Sequence, residues 1–198
     1  MRIPNFFLAL LVTTSLLHAA PEIGKPAPDF TLKDGTGKEH SLSDYAGKTV
    51  VLEWFNEGCP FVKKHYGSRN MQDLQKAATD SGVVWLTIIS SAPGKQGHYT
   101  PEQAVAKYEE LGMASTALLL DESGEVGRAY NARTTPEMFV IDSKGTLVYM
   151  GAIDDKPTPD PASLDGAKNY VQAALTELAA GEPVSTPQTK SYGCGVKY

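Results

Sequence analysis

The chain has 198 residues, 41% of them apolar and 21% charged, with a formal net charge of −5. This composition is that of an ordinary globular protein with enough chain for one domain and its own core, which excludes a disordered or fibrous class. The negative balance argues against nucleic acid as a partner.

Phe6 to Leu17 is a short, mostly apolar run, preceded by Arg2 and followed by His18-Ala19-Ala20. A positive start, an apolar segment and small residues match a secretory signal peptide over residues 1–20. The run falls short of the roughly 20 apolar residues of a membrane-spanning helix, so no stable span is expected after cleavage. The alternative is an uncleaved anchor, because His18 or Leu17 falls three residues before the cut. The expected location is the periplasm or the exterior. There, a pair of cysteines tends to become a disulfide, and this chain has two, Cys59 and Cys194.

Beyond a proline-punctuated stretch from Pro21 to Pro28, Asp29 to Lys33 alternates as a strand. Asp34-Gly35-Thr36-Gly37 is a turn, and Glu39 to Leu42 is the second arm of a hairpin. Thr49 to Phe55 reads as the central strand. A helix follows Cys59, breaks at Gly67-Ser68, resumes with Met71, Leu74 and Ala78, and stops at Gly82. Val83 to Ile89 is a nearly continuous β-branched and apolar run, the mark of a strand buried on both faces.

After a polar loop from Ser90 to Tyr99, Thr100, Pro101 and Gln103 form a capping box for a helix ending at Gly112. Ala117 to Leu120 is another buried strand, and Asp121 to Tyr130 gives a turn and a short helix. Glu137–Ile141 and Thr146–Met150 make a second hairpin. Asp165 is read as the cap of a last helix, Gly166 to Ala180. The tail from Val184 to Tyr198 has no period. Helices on both faces of a mixed central β-sheet are therefore expected, an α/β class.

The chemistry points to Cys59. A buried strand leads into Gly58-Cys59-Pro60, and Pro60 suits the first helical position. Cys59 then sits at the mouth of a helix, where unpaired N–H groups and the dipole stabilise an anion such as a thiolate. The alternative is a buried cysteine that only fills space. Lys63, Lys64 and His65 on the first turn are candidates for lowering the Cys59 pKa; solvated charges are the plainer reading. Cys59 with His65 supplies too few ligands for a closed metal site, so no metal or other cofactor is expected.

This order of elements, with the sulfur opening the first long helix, resembles the thioredoxin fold. It is most similar to the redoxin branch of alkyl hydroperoxide reductase/thiol-specific antioxidant and TlpA-like proteins. The resemblance covers residues 21–181 as one domain and leaves 182–198 as a C-terminal tail. Three segments carry it: the strand running into Cys59, Asp121 to Tyr130, and Thr134-Thr135-Pro136-Glu137-Met138-Phe139-Val140-Ile141-Asp142.

The chain departs from the family pattern at Val62, where thioredoxins hold the second cysteine of Cys-x-x-Cys. It also lacks the peroxiredoxin threonine motif. It thus looks like the peroxiredoxin-like redoxins that keep only the first cysteine.

The resemblance implies a cis bond at Thr135-Pro136, facing the nucleophile, where a substrate peptide could add as a short strand. It implies a buried carboxylate at Glu53. Such a group has a raised pKa and could relay a proton, or it could be a paired structural charge. Cys59, Cys194, Glu53 and Pro136 are the expected catalytic group. Trp54, Pro60, Phe61 and Thr135 are the expected substrate surface, with Trp54 and Phe61 alternatively in the core.

Cys194 keeps three readings. The tail spans about 14 residues beyond the last helix, or about 45 Å extended, against a domain radius of gyration near ~16 Å. Cys194 therefore reaches Cys59 almost wherever the tail starts. It could resolve a mixed disulfide, form a structural staple worth up to ~5 kcal/mol, or stay unpaired. The flanking Gly193 and Gly195 allow close backbone approach.

The function expected is thiol–disulfide oxidoreduction by Cys59, with thiol peroxidase and a non-catalytic binding module as alternatives. The expected partners are protein or small-molecule disulfides, or peroxides, and an external thiol reductant.

Overall fold

A computed structural model describes residues 20–198. Apart from Ala20, the expected leader lies outside the described residues. Among the described residues no helix is long and apolar enough to cross a membrane.

The first hairpin is β1 (Thr31–Asp34) with β2 (Glu39–Ser41), Leu32 opposite His40. There follow β3 (Val50–Trp54), α1 (Pro60–Gly67), α2 (Asn70–Asp80), β4 (Val84–Ile89), α3 (Pro101–Glu110) and β5 (Ala117–Leu120). The chain continues through α4 (Glu125–Ala129), β6 (Thr134–Thr135), β7 (Glu137–Ile141), β8 (Leu147–Gly151), α5 (Tyr170–Ala179) and β9 (Cys194–Gly195). Seven strands form one mixed sheet in the order β2-β1-β5-β4-β3-β7-β8, with β3, β4 and β5 parallel and the rest antiparallel to their neighbours. This is the thioredoxin-like α/β fold expected.

Both faces are covered. All six residues of β4 are buried. Trp85 and Ile89 pack in one apolar cluster with Val62, Met71, Ala104 and Val171 from α1, α2, α3 and α5. Val84, Leu86 and Ile88 pack in the other with Phe30, Leu42 and Val126 of α4. The alternation along the strand is what lets one apolar run serve two cores. The capping box at Thr100 forms: its hydroxyl accepts from the N–H of Gln103, whose side-chain oxygen accepts from the N–H of Thr100.

The last helix differs from expectation. Asp165 closes a 3-10 turn, Pro161–Leu164, and α5 starts at Tyr170. Asn169 is its cap, accepting from the N–H of Gln172 at 2.9 Å. Gly166, at φ +65°, is part of the turn that precedes it.

The tail is not a loose end. Met150 pairs with Gln188, and Thr189 packs against Gly151 where a Cβ would lie 2.3 Å from its hydroxyl. Further on, β9 pairs antiparallel with β6, Thr135 opposite Cys194.

Candidate active site

The fully buried β3 delivers the chain to a tight turn. Asn56 builds it: its side-chain oxygen accepts from the N–H of Gly58 at 2.9 Å, and its carbonyl accepts from the N–H of Cys59 at 3.0 Å. Cys59 is then the N-cap of α1, with Pro60 at the first helical position, because proline has no N–H to leave unpaired there. The Ser90–Tyr99 loop closes beside this turn. Asn56 Nδ2 donates to the carbonyl of Gln96 at 3.1 Å, and Gly58 leaves room for the Gln96 side chain, 2.5 Å from where a Cβ would stand.

The Cys59 sulfur is 0% exposed, yet its neighbours are polar. The thiol lies 2.9 Å from the carbonyl oxygen of Thr135, to which it donates. The Thr135–Pro136 peptide is cis, as expected. The backbone N–H of Cys194 points at the sulfur from 3.4 Å. Gly193 permits this approach: at φ +137°, a Cβ there would lie 2.1 Å from the Thr135 carbonyl oxygen.

The two sulfurs differ in acidity. Burial raises the Cys59 pKa, but hydrogen bonds from the Cys194 side chain and from the N–H groups of Val62 and Cys194 outweigh it, and the net value lies below that of an ordinary thiol. Cys194 moves the other way, pushed up to about 11 by burial, by donating to Cys59 and by the negative charge there. The arrangement makes Cys59 the more acidic of the two thiols and Cys194 the less acidic one beside it.

Pro60 is exposed at the rim, and Phe61 is half-buried with its ring centroid 5.6 Å from that of Tyr192. Thr135 and Pro136 are buried beneath the tail. Trp54 corrects the sequence expectation of a substrate contact. It is 0% exposed, donates from its indole to Ser90 Oγ at 3.0 Å and packs on Tyr130 and Phe139, so it belongs to the core.

Glu53 is wholly buried and accepts four hydrogen bonds, from Tyr66, Gln75, Trp85 and Thr87. Burial raises its pKa, and these donors partly offset the rise. It makes no hydrogen bond to Cys59.

His65 also corrects the expectation. Its ring is buried and meets Asn70, Tyr192 and Asp154 rather than the sulfur. Burial depresses its pKa to about 4, against the pull of Asp154. Lys63 is exposed, and the charge its ammonium acts on is Glu57.

The parts that sequence reasoning missed are Tyr192 and Asp154. The short Tyr-Gly-Cys-Gly string was a signal for the first; nothing local marked the second. Among the described residues no group of three or more His, Cys, Asp or Glu side chains could hold a metal ion.

A buried helix-capping cysteine beside a cis-proline, on this sheet, defines a thioredoxin-like redoxin. More narrowly, the chain belongs to the AhpC/TSA family, whose model matches residues 23–150. It is 34% identical to peroxiredoxin-2 of Cricetulus griseus over 164 residues, 76% of this chain and 78% of that protein. It is 29% identical to the thiol-disulfide oxidoreductase ResA of Geobacillus kaustophilus over 135 residues, 65% and 68% of the two chains. Among solved structures, an uncharacterized conserved protein from Geobacillus kaustophilus superposes with a TM-score of 0.76 at 30% identity, covering 89% of this chain and 92% of that one.

Proposed function

We propose that this protein is an exported thiol–disulfide oxidoreductase in which Cys59 attacks and Cys194 resolves. The Cys59 thiolate attacks one sulfur of a substrate disulfide, and the other sulfur leaves as a thiolate. Cys194 then attacks the Cys59 sulfur and expels the second substrate thiolate. The substrate gains two electrons, and the Cys59–Cys194 pair becomes a disulfide that an external thiol reductant resets.

The observation that carries this reading is the approach of the Cys194 N–H to within 3.4 Å of the Cys59 sulfur, with the acidities of the two thiols driven apart. The likeness to ResA supports the reaction class. The leader-like sequence of residues 1–20 supports the periplasm or the exterior as the location.

Peptide mapping of the secreted protein under non-reducing conditions tests the cycle. After turnover with a protein disulfide such as insulin, a Cys59–Cys194 linked peptide is expected. Its absence, with insulin reduction intact, would remove Cys194 from the cycle.

Reduction of hydroperoxides is a second reading, favoured by the 0% exposure of the Cys59 sulfur. A small oxidant can reach it with less displacement of the tail than a protein disulfide needs. Cys59 would pass through a sulfenic acid that condenses with Cys194 and releases water. Trapping of that sulfenic acid in Cys194→Ser by dimedone, after hydrogen peroxide, separates the two readings.

A further inference from the structure

Two residues before Cys194, the phenol of Tyr192 meets α1 and the segment after β8. Its hydroxyl donates to Asp154 Oδ1 at 2.5 Å. It lies 3.3 Å from His65 Nε2 and 3.5 Å from Lys64 Nζ. Asn70 donates to His65 Nδ1 at 2.8 Å, which leaves Nε2 as the nitrogen that bears hydrogen. The Tyr192 hydroxyl therefore accepts from two side chains of α1 while it donates to a third group.

The three groups around the half-buried phenol are closed to solvent. The Lys64 and His65 side chains are 0% exposed and that of Asp154 is 2% exposed. Lys64 pairs with Asp154 at 3.4 Å and also donates to the carbonyl of Lys156 at 2.8 Å. A buried ion pair is a weak source of stability compared with apolar packing. The thiol chemistry uses none of these groups directly. What they hold in common is Tyr192.

We propose that Tyr192 is a positioning residue for the resolving step, clamped by Lys64, His65 and Asp154 so that Cys194 stands against Cys59 before it attacks. This rests on the reading of Cys194 as the resolving thiol. A flexible tail presents its sulfur at an effective concentration near millimolar. A docked tail has already lost that freedom, so the attack of Cys194 on the Cys59 adduct starts close to its geometry. The bond that forms is Cys59–Cys194, the bond that breaks joins Cys59 to the substrate sulfur, and the proton of the Cys194 thiol is lost to solvent.

One equivalent of 5,5′-dithiobis(2-nitrobenzoate), mixed with the reduced full chain, reads the two steps apart. Attack by Cys59 releases one coloured thiolate; resolution by Cys194 releases the second, at a rate independent of protein concentration. In Tyr192→Phe, which keeps the ring on Phe61, the first release runs at or above the wild-type rate. The second slows roughly tenfold, the scale of one hydrogen bond to a charged group. Tyr192→Ala slows it further.

The equilibrium between the Cys59–Cys194 disulfide and dithiothreitol shifts toward reduction by about the same factor, because the latch holds in both states and, without it, closing the disulfide must order a free tail. An unchanged second phase or an unchanged equilibrium in Tyr192→Phe overturns the proposal and leaves Cys194 as resolver. If wild-type protein releases only one thiolate, the resolving role itself fails, and the latch with it.

Discussion

Cys194 presents its backbone N–H to the sulfur of Cys59 at 3.4 Å, across 135 residues of sequence. The contact follows from main-chain pairing of β9 with β6. The edge at which a substrate strand was expected to add is thus held by the chain's own tail. The tail supplies a hydrogen bond to the Cys59 sulfur and a second thiol at once.

The acidity of Cys59 depends on that tail. Alkylation by iodoacetamide, followed against pH, should show a midpoint below the ~8.5 of a free thiol. In Cys194→Ala the side-chain donor is gone and the midpoint should rise. The stability linkage has a defined sign. Because the folded pKa of Cys59 is depressed, its contribution is present above the unfolded value and is lost as pH falls through the folded one. Cys194 is the reverse: its folded pKa is raised to about 11, so its contribution is lost as pH rises through that value. A midpoint that ignores Cys194→Ala would show that the tail does not tune the sulfur.

Gly193→Ala should expel the tail. A Cβ would stand 2.1 Å from the Thr135 carbonyl oxygen, on a backbone at φ +137° that side chains rarely adopt. The expected cost to docking exceeds ~1 kcal/mol. Cys59 should then alkylate several-fold faster, while circular dichroism of the domain stays native. Protection equal to wild type would place the shield elsewhere.

Asp154→Ala leaves the Lys64 ammonium buried without its partner. Urea unfolding should show a loss of about 3–5 kcal/mol. Lys64→Met combined with Asp154→Leu should recover most of it, because both charges are removed together. If the single and double variants are equally unstable, the ion pair is not the source of the loss.

Glu53→Gln tests the carboxylate beneath the site. An amide cannot accept all four of the present donors, so a loss of about 1–3 kcal/mol in urea unfolding is expected. The pH midpoint of Cys59 alkylation should stay where it is. A fall in that midpoint would mean that the Glu53 charge acts on the sulfur.

The local signals were legible without coordinates. Strand periods, the Thr100 capping box, the Glu137–Ile141/Thr146–Met150 hairpin and the Gly58-Cys59-Pro60 corner all depend on neighbours within a few residues. So the strand that carries Glu53, the helix that Cys59 opens and the order of elements along the chain could be read directly. Asp165 misled because it is a good cap in isolation; the turn that Gly166 helps form and the Asn169 side chain moved the true start to Tyr170.

What tertiary structure alone decided is which distant groups meet. Lys64 and His65 are adjacent to a catalytic turn in sequence, but a helix points successive residues in different directions, and theirs is toward Asp154 and Tyr192. Trp54 alternates to the face that the core covers rather than to a substrate surface. The tail has no period for a sequence to display. Its position comes from backbone pairing with Thr135 and from a phenol fitted to a buried ion pair, contacts whose partners lie tens to more than a hundred residues away.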